Sequence, residues 1–234
     1  MAVDKDFYNE ASAAKLGWEP SWFIPEYTLF DRKLQNAIRA FQREHRLYAD
    51  GMCGPTTYRH ILAHVESQQE VMVAAVQSSG SDVLWYNGNP INIDWPAEKV
   101  HTFKDDVFNY EISKGLTKYS RKRTIKSFVT HWDVCLNSKS CAKVLARRNV
   151  SVHFCIDNDG TIIQLHDINE ACWHAGNSKV NHSSVGVEIS NAYYPKYQSW
   201  YKKNVGKERP MMEGALAQNK PLKPFTWFYP EQLE

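Results

Sequence analysis

The run Val185-Gly186-Val187-Glu188-Ile189 sets the first constraint on this chain. It is a short apolar stretch that follows a turn rich in Gly, Asn and Ser, which is how a fully buried strand reads. Strand alternation puts Val185, Val187 and Ile189 on one face and Gly186, Glu188 and Ser190 on the other. A carboxylate on a core strand is costly unless it is paired, hydrated in a cleft or close to a cation. Any fold that buries this strand must therefore build a polar site around Glu188.

A second run makes a similar demand. Ile125–Trp132 reads as a strand with Val129, His131 and Asp133 on one face and Phe128, Thr130 and Trp132 on the other. His131 lies near the end of that strand, where a metal ligand would be held rigidly. A lone His or Glu in such a place is usually structural, but the two together, each flanked by β-branched residues, point to a shared site. Between the runs, Ser140–Arg148 reads as a helix and Val150–Asp157 and Thr161–His166 as strands around the turn Asn158-Asp159-Gly160. Strands interleaved with helices give an α/β layer fold for residues 125–234.

The N-terminal third has a different pattern. Asp31 is placed to cap a helix with Leu34, Ala37, Ile38 and Phe41 at helical spacing. Pro55 opens another, with Tyr58, Ile61, Leu62 and Val65 as its apolar face. Residues 1–66 are thus a small all-α module. Residues 67–124 read as a linker, polar through residue 80, then a hairpin signalled by Asn87-Gly88, then an irregular aromatic-bearing segment at 94–126 without a motif.

A net charge of +2 over 234 residues argues against a nucleic-acid binder, and the basic cluster 118–126 reads as a solvated connector. The longest aliphatic stretch, Val71–Val76, is too short to span a membrane. The N-terminus lacks the pattern of a secretory signal, so the expectation is synthesis in the cytoplasm and action elsewhere after delivery by another factor. Five cysteines with no C-x-x-C pair exclude a zinc ribbon and read mostly as buried small hydrophobes.

Two resemblances are carried by motifs. Leu34-Gln35, Phe41-Gln42, Asp50-Gly51, Gly54 and Thr57 resemble the peptidoglycan-binding helical module, over residues 28–65. Phe128-Val129-Thr130-His131-Trp132-Asp133, Val152 through Gln164, Trp173-His174-Ala175-Gly176-Asn177-Ser178 and Ser184 through Ile189 are similar to the zinc N-acetylmuramoyl-L-alanine amidases. These type-2 amidases include phage endolysins and are related to the peptidoglycan recognition proteins.

The resemblance implies a mixed β-sheet flanked by helices and a Zn2+ cofactor held by His131. It implies Glu188 as the catalytic carboxylate beside a zinc-bound water, whose pKa the ion lowers from about 15.7 to about 7. It implies Trp173, His174 and Asn177 along the substrate groove, and His153 as a packed neighbour. Bacterial peptidoglycan is the implied partner, with phage virion components as a further one. Some phage members use a Tyr where this chain has Val152, which shifts the burden to Glu188. Cys135 and Cys141 echo the disulfide of the recognition proteins.

The pattern breaks downstream of Glu188, where the chain has no histidine. The family draws its second His and a Lys-x-Asp or Lys-x-Cys from that region. The expectation is that the C-terminal part of the domain is missing, the Phe228–Glu234 segment being the start of the preceding helix. The alternative is a groove that binds without catalysis, alone or as part of a virion. His166, His174 and His182 lie in turn or groove segments as substitute ligands.

Overall fold

The computed structural model describes residues 3–68, 82–106, 108–217 and 220–234, with residues 216, 217 and 220 given by backbone alone. Two compact units are present, residues 1–69 and 70–234. The polar linker expected at 67–80 and the aliphatic stretch 71–76 fall almost wholly outside the described residues. Among the described residues no helix is long and apolar enough to cross a membrane.

The first unit has three helices, α1 (Lys5–Leu16), α2 (Arg32–Glu44) and α3 (Pro55–Gln68). Sequence reasoning missed the first, although its signals are present: Asp4 caps its N-terminus and Gly17 closes it at φ 75°. Asp31 caps α2 as expected, accepting from the amides of Lys33 and Leu34. Leu34 and Ile38 are fully buried, each worth about 1.5–3 kcal/mol relative to exposure. Pro55 is the first residue of α3, whose Tyr58, Ile61 and Leu62 are buried.

Gln42 organises the turn between α2 and α3. Its Nε2 donates to Asp50 Oδ1, Met52 O and Thr57 Oγ1, and its Oε1 accepts from Gly51 N–H at 2.9 Å. Gly51 has φ +81°, and a Cβ there would lie 3.0 Å from Gln35 O. The residues that carry the peptidoglycan-binding resemblance therefore hold this turn together from inside.

The second unit begins, among described residues, with the hairpin β1 (Val83–Tyr86) and β2 (Asn89–Asn92). The Asn87-Gly88 turn has positive φ at both residues, as expected, and both amides donate to the Asp167 carboxylate. Next come β3 (Val100–Thr102), β4 (Leu116–Thr117), β5 (Ser127–Trp132), α4 (Ser138–Arg148), β6 (Phe154–Ile156), β7 (Ile162–Gln164), β8 (Ala171–Cys172), α5 (Ser178–Ser183), β9 (Ser184–Ile189) and α6 (Gln198–Asn204). Four two-residue strands follow: β10 (Met211–Met212), β11 (Leu216–Ala217), β12 (Lys220–Pro221) and β13 (Phe225–Thr226).

A mixed five-stranded sheet of order β3-β7-β6-β9-β5 forms the centre. Only the β6–β7 pair is antiparallel. Phe154, Val185 and Val187 form a core on one face, packed by Leu84, Ile125, Ile156, Ile162, Ile168 and Ile189. On the other face α4 lies against β6, the Cys141 thiol hydrogen-bonding with those of Cys135 and Cys155.

Two sequence expectations change here. Part of the segment read as linker, Val100–Thr102, is an edge strand of the sheet, paired with β7. The strand expected at Val150–Asp157 is only three residues long, because its first amides go elsewhere. Val150 N–H closes the end of α4 on Leu145 O, and Ser151 N–H donates to Trp173 O.

The chain after β9 returns to its end through Arg209, which is 2% exposed. Its guanidinium donates to Ser190 O at 2.6 Å, to Asn158 Oδ1 and to Gln232 Oε1, and stacks on Tyr201 and Tyr229. Gln232 donates to the same Ser190 carbonyl at 2.9 Å. The end of the strand bearing Glu188 is thereby fixed. Pro230–Gln232, expected as the start of a helix, is a single 3-10 turn.

Candidate active site

Parallel pairing of β5 with β9 sets His131 opposite Glu188, and pairing of β6 with β9 sets Cys155 opposite Glu188 on the other side. Register partners share a face, so Cys155, Glu188 and His131 form one row across three strands, each step about 4.8 Å. The two runs that demanded a shared polar site thus supply it from neighbouring strands. Glu188 is 7% exposed, and His131 is half-buried on the edge strand.

His174 joins them from the loop after β8. Its Nδ1 lies 3.0 Å from His131 Nε2, and its Nε2 lies 3.1 Å from the Ser184 hydroxyl. The ring rests on Gly186, the residue of β9 two positions before Glu188. Asn181 holds the loop from below, its Oδ1 accepting the amides of His174 and Ala175. Burial, with the nearby His131 and Arg123, lowers the His174 pKa to about 4, so the ring is neutral at pH 7.

His153 is fully buried behind this group. Its Nδ1 accepts from Gly186 N–H at 2.9 Å, so Nε2 carries the proton and donates to Glu170 O at 2.8 Å. Burial drives its pKa down to about 3. The packed role expected for His153 matches these contacts. Arg123 Nη2 sits 2.8 Å from the same ring and donates to Ile168 O. Sequence reasoning missed Arg123, because it lies inside a basic cluster that reads as solvated. Its neighbours Arg121 and Lys122 are exposed, whereas Arg123 is 6% exposed.

The remaining candidates are dispersed. Trp173 is 41% exposed and its indole N–H donates to Thr117 Oγ1 at 3.2 Å, which leaves a flat apolar surface beside the His174 loop. Asn177 caps α5, its Oδ1 accepting from Val180 N–H. His166 pairs with Glu170 at 3.4 Å and His182 hydrogen-bonds with Tyr119. Of the three substitute histidines, the structure brings only His174 to His131.

Asp133 is 1% exposed and accepts from the amides of Cys135 and Asn191 and from Ser190 Oγ. Burial nonetheless raises its pKa to about 7. It braces the turn that follows the His131 strand, where Val134 has φ 58°. Cys135 and Cys141 are both buried and reduced in this structure, in thiol contact without a disulfide.

The donors near His131 suit zinc in kind, since imidazole nitrogen is one of its preferred ligands, but a catalytic zinc takes three protein ligands and an open position. Among the described residues, the set of three potential ligand atoms within 4.8 Å of one another is Asp133, Cys135 and Cys141, which does not include His131.

The chain is also similar to known proteins. Residues 121–223 match the family described as N-acetylmuramoyl-L-alanine amidase, and residues 14–61 match the putative peptidoglycan binding domain. No curated protein matches the chain. Among solved structures, a selenomethionine derivative of AmpD is similar at 19% identity, over 42% of this chain and 63% of that one, with a TM-score of 0.27. The N-acetylmuramyl-L-alanine amidase AmiD from E. coli, in complex with the substrate anhydro-N-acetylmuramic acid-L-Ala-D-gamma-Glu-L-Lys, is similar at 20% identity, with a TM-score of 0.32. That match covers 52% of this chain and 48% of AmiD. This chain therefore spans less than two thirds of either.

Proposed function

We propose, from the premise that this chain belongs through residues 121–223 to the N-acetylmuramoyl-L-alanine amidase family and carries a putative peptidoglycan binding domain at 14–61, that it hydrolyses the amide joining N-acetylmuramic acid to L-alanine in bacterial peptidoglycan. The observation that carries the reading is the parallel register of His131 with Glu188. It sets an imidazole and a carboxylate side by side on one face, within reach of one substrate.

Members of this family are typically zinc-dependent. Zinc held by His131 would supply a Lewis acid for the lactyl carbonyl and for water at neutral pH. Glu188 takes the proton from the attacking water and returns it to the departing amine of L-alanine. Its near-complete burial suits this work, because the charge acts where solvent screens it little. Trp173 offers its exposed ring to the apolar face of the sugar or stem peptide, and the N-terminal unit keeps the enzyme on the wall. A phage lysin delivered to the wall by a separate factor is the setting that goes with this reading.

The test is digestion of purified sacculi by the whole chain in the presence of zinc, with products resolved by mass spectrometry. Stem peptides bearing a new N-terminal L-alanine, with muramic acid retaining its lactyl carboxylate, are expected. Glycan cleavage, or cleavage inside the stem peptide, would replace this reading. Among the described residues the group of three potential ligand atoms does not include His131, which favours a second reading, a groove that binds without turnover. Sacculi retained but left intact would establish that instead.

A further inference from the structure

No Asp or Glu stands between Glu111 and Asp133, and none between Glu170 and Glu188. The fold lays the first of these stretches along the second. β4 pairs with β8, the Trp173 indole N–H donates to Thr117 Oγ1, Tyr119 hydrogen-bonds with His182, and Lys126 N–H donates to Ser183 O at 2.7 Å. Between these points Asn169 grips the ribbon, donating to Arg121 O at 3.0 Å and accepting from Arg123 N–H at 2.8 Å, while the Arg123 side chain turns inward onto Ile168 O. Residues 118–126 contain no helix or strand, yet they are tied down at every second or third residue. Lys118, Arg121, Lys122 and Lys126 stay exposed, and so does Lys179 on α5. The neighbouring carboxylates are engaged elsewhere. Asp167 accepts the amides of Asn87, Gly88 and Asn169, Glu170 pairs with His166, and Glu111 pairs with Arg147. Among the described residues, none of these exposed cations has an ion-pair partner.

Like charges fixed close to one another repel, so a ribbon pinned in place with only cations exposed along it is arranged to meet a polyanion. We propose that residues 118–126, with Lys179 beside them, are a docking surface for an anionic polymer of the bacterial wall whose units are joined by phosphodiesters. Arg offers phosphate oxygens a planar fork and Lys a point charge. The cations are strung along the ribbon instead of converging on one point, which suits a chain of phosphates better than a single small anion. Tyr119 and Trp173, 37% and 41% exposed, offer ring surface to the sugar or polyol between phosphates. A lipid surface fits less well, because the ribbon is not an amphipathic helix and its one aliphatic residue, Ile125, packs into the sheet core. Nucleic acid fits less well because the whole chain has a formal net charge of only +2. The proposal takes from the amidase reading the wall as the place of action. Polymer binding and amide hydrolysis are measured separately, so either can fail alone.

The whole chain is titrated with soluble poly(glycerol phosphate) in a calorimeter at several salt concentrations. The parent should bind, with an affinity that falls steeply as salt rises, because each phosphate contact releases counterions. Two multiple variants are compared with it. One combines Lys118→Gln, Arg121→Gln, Lys122→Gln and Lys126→Gln; the other, a control of equal charge, combines Lys15→Gln, Lys139→Gln, Lys202→Gln and Lys223→Gln, all at exposed positions. Affinity should fall by roughly 10–100-fold in the ribbon variant and little in the control. No binding by the parent, parent-like affinity in the ribbon variant, or an equal loss in the control would each overturn the proposal. Tighter binding to phosphatidylglycerol vesicles than to the polymer would assign the ribbon to a lipid surface and overturn it as well. Polymer bound through this ribbon by a parent that releases no stem peptide from sacculi would overturn the amidase reading and leave this one standing.

Discussion

The imidazole of His174 lies directly against Gly186: a Cβ built on that glycine would come within 2.6 Å of His174 Cγ and Cδ2 and 2.9 Å of Nδ1. Side-chain carbons do not approach so closely, so Gly186→Ala must push the ring off its seat and break the 3.0 Å contact with His131. A misplacement of about 1 Å near reacting groups can cost about 10²-fold in rate. Gly186→Ala is therefore expected to reduce stem-peptide release by about that factor, with a stability cost of roughly 1–3 kcal/mol from overpacking. Release kinetics and chemical denaturation measured on the same preparation check both. An alanine variant as active as the parent would show that the ring's position is unimportant.

Glu188→Gln changes the charge at almost constant shape, and the strand pairs that hold the residue are unaffected. Loss of a general acid–base group costs typically about 10²–10⁴-fold, so turnover should fall by that range while binding to sacculi persists. A co-sedimentation assay beside the hydrolysis assay distinguishes lost chemistry from lost binding. Undiminished hydrolysis would remove Glu188 from the mechanism.

The site was legible in the sequence wherever strand periodicity carried it. A carboxylate in Val185–Ile189 and a histidine in Ile125–Trp132 could be assigned to faces by counting, and the parallel register brings those two faces together. What could not be read was the third direction, perpendicular to the sheet. Nothing in the spacing of Trp173-His174 says that the loop folds back over Gly186, since that depends on Asn181 catching two loop amides. Arg123 was hidden for a different reason. Charge runs are usually solvated, and here a single member turns inward because the Ile168 carbonyl behind it accepts from both its Nε and its Nη2. In the N-terminal unit the capping signals of α1 are present, but the stronger periodicity of α2 overshadows them.

His153 provides a pH signature of the folded state. Its pKa falls from the ordinary histidine value of 6.5 to about 3 in the fold, mainly through burial. The unfolded chain takes up this proton near pH 6.5, whereas the native protein does so only near pH 3. This histidine's contribution to stability is thus fully present above about pH 6.5 and is lost progressively as the pH falls toward 3. The loss is on the order of a few kcal/mol across that window. NMR titration should find the His153 ring neutral at about pH 5, and urea midpoints should decline from about pH 7 to about pH 4. A ring that titrates near 6.5 in the native protein would contradict the buried hydrogen-bonded arrangement.

Gln42 makes the corresponding prediction for the N-terminal unit. Its side chain is 2% exposed, and its carbonyl is an acceptor for the buried Gly51 amide while its NH2 group serves Asp50, Met52 and Thr57. Gln42→Met preserves length and apolar volume but leaves that amide and the Met52 carbonyl without this partner. An unsatisfied buried polar group costs about 1–3 kcal/mol, and the Gly51 turn at φ +81° has little slack to find another acceptor. The variant should lower the stability of the first unit by at least that much and weaken retention on sacculi. Zinc uptake by residues 70–234 should be unchanged. Hydrogen exchange at the Gly51 amide reads the local effect directly: protection equal to the parent's would mean that the turn is held by something other than Gln42.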